Sequence, residues 1–192
     1  MSKILYLVGN SEDIIQKYDI YEDTVFYHYA VNSSSDVEIH LKKEGICFTY
    51  YYSVINDDDH EMKVSIYHDA SNTYSYLYNH GVNVSSHKLF FDVSSYVPKH
   101  SPKCICNQEN QIINLKNGKS TICPKLYIDH YDVDSNHAAY IGSFPEDTLF
   151  YMMSRGISLK LCNELLLKGF LLSSDSIDFS KINFFITKLE SL

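Results

Sequence analysis

The chain has 192 residues and a formal charge of −8, with 45% apolar and 21% charged residues, a balance that suits a soluble globular domain and excludes a wholly disordered chain. No cluster of Lys and Arg forms the basic stripe that phosphate backbones require, so neither nucleic acid nor an anionic membrane surface is an expected partner. Seventeen tyrosines and ten phenylalanines with no tryptophan tilt the expectation toward β structure, because aromatic side chains suit a pleated surface.

At the N-terminus the run Ile4 to Val8 is too short for a signal-peptide core or a membrane span, which leads us to expect a cytoplasmic protein. Five irregularly spaced cysteines (Cys47, Cys104, Cys106, Cys123 and Cys162) read as reduced thiols, not as a secreted disulfide framework. Glu12 to Lys17 is expected to form a short helical turn. From residue 3 to about residue 133 the apolar residues mostly follow a period of two. Val25, Tyr27, Tyr29 and Val31 alternate, as do Val37, Ile39 and Leu41. The same holds for Ile46, Phe48, Tyr50, Tyr52 and Val54, for Met62, Val64 and Ile66, and for Tyr74, Tyr76 and Tyr78. Polar breaks at 32–36, 56–60 and 69–72 favour turns. Pro98 and Pro102 interrupt the pattern where a central strand is not expected. Short, evenly spaced strands fit a sandwich, a barrel or a solenoid, and periodicity does not choose among them.

The pattern changes at Gly142. Ser143 is expected to cap a helix that carries Pro145 and Glu146 in its first turn, runs to about Arg155 and closes on Gly156. Ser158 is expected to cap a second helix with Leu161, Leu165, Leu166 and Phe170 on one stripe. A third, starting near Ser176 or Ser180, carries Ile182, Phe185, Ile186 and Leu189.

Each chemical motif competes with a plainer reading. Cys104 and Cys106 place two thiols on one strand face, which suits a soft metal or simply two small packed residues. Gly118-Lys119-Ser120-Thr121 resembles the end of a phosphate-binding loop, but Ile113 stands where its first glycine belongs, so Asn117-Gly118 reads as a tight turn and no nucleotide is expected to bind. Asp57, Asp58 and Asp59 beside His60 and Glu61 read as a solvated turn, without the glycine of a calcium loop. Asp129, Asp132 and Asp134 near His137 could serve acid–base chemistry in a polysaccharide-cleaving solenoid, if they share a cleft. No nucleophile elbow supports hydrolysis, and the chain is not expected to be an enzyme.

Residues 125–172 carry an ordered set of short motifs: Asp132-Val133, His137-Ala138, Leu149-Phe150-Tyr151, Ser154-Arg155-Gly156-Ile157 and Gly169-Phe170. This set resembles the C-terminal end of the SufB/SufD family of iron–sulfur cluster assembly proteins, with weaker similarity back to His87 through His100-Ser101-Pro102. The resemblance implies a right-handed parallel β-helix core over residues 1–141 and a C-terminal helical unit over 142–192. It implies a scaffold or interaction subunit that dimerises through its core, with itself or with a SufB/SufD-type paralogue. A SufC-type ABC ATPase would dock on the helices, at Leu149, Phe150, Tyr151, Arg155 and Gly156. A transient iron–sulfur cluster is the implied cargo. His137 matches the family's D-type histidine, while the B-type cysteine position falls at Glu109 with Cys106 close by, so His137, Cys106 and Glu109 are the candidate ligands. Ser135 replaces the D-type cysteine and no glutamates flank His137, so a structural adaptor without cluster chemistry stays open beside the scaffold reading. The chain is short for the family and more D-like than B-like.

Overall fold

The computed structural model describes residues 2–172 and 177–192, so that Ser176, one of the two expected starts of the third helix, lies outside the described residues. One sheet runs in the order β1 (Lys3–Asn10), β3 (Thr24–Val31), β5 (Cys47–Asn56), β7 (Tyr74–Asn83), β9 (Cys104–Asn114) and β11 (Val133–Gly142). The other contains β2 (Ile14–Ile20), β4 (Ser35–Leu41), β6 (His60–His68), β8 (Lys88–Val97) and β10 (Lys119–Ile128). All pairings within both sheets are parallel, and the chain passes to the opposite sheet after each strand. The architecture is therefore a parallel β-solenoid, one of the three folds the periodicity allows.

Inward-facing residues of the two sheets meet in one core. Val37, Ile39 and Leu41 of β4 and Met62, Val64 and Ile66 of β6 face Phe26, Phe48, Tyr50, Tyr52 and Val54 of the odd-numbered sheet. Tyr50 and Phe26 meet edge to face at 5.4 Å. Parallel pairing puts residues in register on the same face, which stacks like side chains from strand to strand. On the outer surface of the odd sheet Tyr6, Tyr27, Tyr51 and Tyr78 form a ladder with ring centroids 5.1 to 5.4 Å apart. His40, Tyr67, Tyr96 and Tyr127 form a second on the even sheet at 4.5 to 4.7 Å.

Several expectations are corrected. Residues Glu12 to Lys17 are not a helical turn: β2 begins at Ile14, because it pairs with β4 and seats Tyr18 edge-on against Phe26 at 4.9 Å. Tyr74, Tyr76 and Tyr78 alternate as expected, yet face outward, and Ser75, Leu77 and Asn79 take the interior. The Asn117-Gly118 turn joins strands of opposite sheets instead of a hairpin. A Cβ on Gly118 would lie 2.6 Å from Oδ1 of Asn114, so this corner admits only glycine without rearrangement.

Three helices follow: α1 (Glu146–Ser154), α2 (Leu159–Leu171) and α3 (Asn183–Glu190), the last preceded by a 3-10 turn at Phe179–Ile182. Pro145 occupies the N-cap of α1 with no side-chain cap, so Ser143 does not play that part. Gly156 follows α1 at φ +86°, a left-handed position natural to glycine. Ser158 caps α2 by accepting a bond from the Leu161 amide. The buried side of α2 is Cys162, Leu167 and Leu171, not the expected Leu161 and Leu165, which are exposed. Ile182, Phe185 and Leu189 are buried as expected. Helices α2 and α3 lie on the outer face of the odd sheet, where Tyr27, Tyr29, Val31, Ile55, Val82 and Ile113 share one apolar cluster with them. None of the described helices is long and apolar enough to cross a membrane.

Candidate functional site

The last rung of the solenoid consists of β10 and β11, each hydrogen-bonded to a strand on one side only. His137 lies in β11, opposite Gln108 of β9, and is exposed. The inward row of which it is the end runs Phe26, Tyr50, Leu77, Gln108, His137. Its ring is thus presented at the open end of the interior.

Cys106 shares that face two residues before Gln108, next to Ser135 in register. It is fully buried, however. Its sulfur lies 3.2 Å from Nε2 of His68, whose ring nitrogens also reach Thr73 Oγ1 (2.8 Å) and Ser75 Oγ (3.0 Å). Burial pushes the Cys106 thiol up to about 12 and pulls His68 down to about 4, so both are neutral at pH 7. A neutral buried thiol is a packing group, since metal ligation needs the thiolate and an approach path. Val97, Cys104 and Cys106 form a small cluster closed by Leu126, Ile128 and Val133.

Glu109 is in register with Ala138 and occupies the opposite, outer face of the sheet from His137. It accepts a bond from Gln111 Nε2 at 2.7 Å and lies 3.8 Å from Nε2 of His80. The three candidate ligands therefore do not converge: Cys106 is inside, His137 is at the open interior edge, and Glu109 faces out.

Helix α1 has no buried residue. Phe150 is 75% and Tyr151 60% exposed, and Met153 is exposed beside them. The Arg155 guanidinium lies 5.2 Å from the Tyr151 ring centroid, a cation–π contact that holds both side chains at the surface. Leu149 turns the other way, into a cavity of about 380 Å³ between α1, α2 and α3, with Phe144 and Leu167 among its walls.

The acidic candidates behave as solvated groups. Asp132 and Asp134 border one shallow hollow with Lys103 and Tyr131, and Asp129 is not part of it. In the turn before β6, Asp59 accepts the Lys88 amide at 2.6 Å. Two features escaped the linear pattern, the internal His68–Cys106 pair and the His80–Glu109 pair. Each joins residues of different rungs, and only the ring chemistry of histidine could have flagged them.

Fold and surface define a β-solenoid protein with an uncovered last rung and an uncovered aromatic helix. Residues 13–170 match the family described as SUF system FeS cluster assembly, SufBD core domain, and the chain belongs to that family. It is also 31% identical over 107 residues to the iron-sulfur cluster assembly protein SufD of Bacillus subtilis (strain 168), a match covering 55% of this chain and 24% of that protein. The chain thus spans about a quarter of that relative's length.

Proposed function

We propose that the chain is a non-enzymatic scaffold and interaction subunit of SUF-type iron–sulfur cluster assembly. It pairs through β10 and β11 with a SufB/SufD-type paralogue or with itself, and a SufC-type ATPase docks on α1. The observation that carries this reading is the combination, at one end of the molecule, of two single-sided edge strands and a helix with Phe150 and Tyr151 in solvent. Unpaired strand edges and large exposed aromatic groups are surfaces that proteins normally cover. In this reading His137 offers its ring to a cluster held as cargo at the seam, and ligands from the partner complete the set. The chain itself binds no nucleotide.

A specific observation favours the structural adaptor as the second reading. Cys106 is buried and Glu109 faces away, so this chain sets no thiolate or carboxylate from that trio beside His137.

Affinity purification of the chain from its own cells tests the assignment. Recovery of an ABC-type ATPase with wild type, and its loss with the Phe150→Ala/Tyr151→Ala double variant, is the expected result. Because both side chains are largely exposed, the variant should melt with wild type. Equal recovery of the ATPase by both proteins places the docking surface elsewhere.

A further inference from the structure

His80 lies on the outer face of β7 beneath α2, only 8% exposed, with its ring stacked on Phe170 at 4.5 Å. Its Nδ1 is 2.8 Å from the Phe170 carbonyl oxygen. A carbonyl only accepts, so Nδ1 carries the hydrogen. With Nδ1 as the donor, the neutral imidazole carries its lone pair on Nε2, on the side of the ring that faces Glu109. That Nε2 is buried and has no hydrogen-bond partner among the described residues. The nearest carboxylate oxygen, Glu109 Oε1, is 3.8 Å away, beyond hydrogen-bond reach. A nitrogen lone pair and a carboxylate facing across a gap repel each other unless something electrophilic stands between them.

We propose that Nε2 of His80 and the carboxylate of Glu109 form the protein half of a binding site for one divalent first-row transition-metal ion. Bonds of about 2.0–2.2 Å from each ligand span the gap at a wide angle. The Nδ1–H bond to a backbone carbonyl is the outer contact that orients a metal-binding histidine and raises its basicity. Imidazole with carboxylate suits Zn, Fe, Co or Mn better than Ca or Cu(I). Glu109, held by Gln111, borders a hollow of about 240 Å³ with Tyr76, Tyr78 and Asn107, which leaves the carboxylate side of the pair open to solvent while His80 stays buried. The site takes Glu109, one of the ligands the family resemblance implies, but on the outer face of the sheet, away from His137 and without a partner chain, so its test does not depend on cluster assembly.

The competing cation site among the described residues is the exposed trio Asp58, Asp59 and His87. Metal-free full-length protein titrated with Co(II), followed by visible absorption and equilibrium dialysis, separates the two. Wild type is expected to bind Co(II) with a rise in melting temperature. Glu109→Gln and His80→Gln should each weaken binding by about tenfold or more, and His87→Ala should leave it unchanged. Glu109 is half-exposed, so Glu109→Gln keeps the fold and makes the test decisive. Absence of Co(II) binding by wild type, wild-type affinity in Glu109→Gln, or loss of binding in His87→Ala overturns the proposal.

Discussion

Glu109 and His137 occupy neighbouring strands of one parallel sheet, yet their side chains leave it on opposite faces, because His137 is in register with Gln108 and not with Glu109. A shift of a single position in a strand exchanges the inside for the outside. Candidate ligands that look adjacent in a motif are thereby divided between the solenoid interior and its outer surface. Of the inward pair, His137 is exposed and Cys106 is not.

His137→Ala is accordingly expected to leave the melting temperature nearly unchanged, since surface replacements usually fall within about 0.5 kcal/mol. Under the scaffold reading, iron–sulfur reconstitution in the presence of the ATPase and a paralogue drops in the variant. Cluster yield equal to wild type would leave the adaptor as the better account.

Thiol accessibility gives a second test. Cys47 and Cys123 are half-buried, whereas Cys104, Cys106 and Cys162 are buried. Ellman's reagent should titrate two thiols in the native protein and five after denaturation. Rapid native reaction of Cys106, read by mass spectrometry, would contradict its place beside His68.

Acid should destabilise the fold well above the carboxylate range. His28 and His68 are pulled by burial from 6.5 to about 3 and about 4. The unfolded chain therefore takes up these protons first as pH falls below about 6.5. Their contribution is complete above that pH and is lost progressively down to about 4 for His68 and about 3 for His28. Urea unfolding at pH 7, 6 and 5 should show midpoints that fall at each step. A flat profile across this window would mean that neither ring is buried in the neutral form.

The helices and the sheet should melt together. Phe185 is fully buried and meets Tyr29 edge to face at 5.0 Å, and Ser53 Oγ donates to the Leu171 carbonyl at 2.7 Å. Phe185→Ala should cost about 3–5 kcal/mol. Ending the chain at Gly142 should expose the face formed by Tyr29, Val31, Ile55, Val82 and Ile113, with binding of a hydrophobic dye. Calorimetry resolving two independent transitions in the full chain would contradict this coupling.

Much of this structure was already determined by local sequence. Alternation in Val37-Ile39-Leu41 and Met62-Val64-Ile66 specifies two-faced strands, Gly156 ends α1 because it tolerates a positive φ, and Ser158 caps α2 because its oxygen reaches an orphan amide. The motifs from Asp132 to Gly169 carried the family. Periodicity of two says that a strand has two faces, but not which of them is covered. Tyr27 and Tyr29 are buried under helices from the far end of the chain, while Phe26 and Ala30 face the solenoid core. The repeat itself was illegible because successive rungs differ in length: Lys3 pairs with Thr24, Cys47 with Tyr74, and Tyr74 with Ile105. Only winding the chain brings Cys106 to His68 and Glu109 to His80, since each of these contacts forms between rungs and depends on register. The amphipathic pattern of α2 was equally ambiguous, because Leu161 and Leu165 are as apolar as Leu167 and Leu171. The choice between them was made by the sheet surface that received the helix.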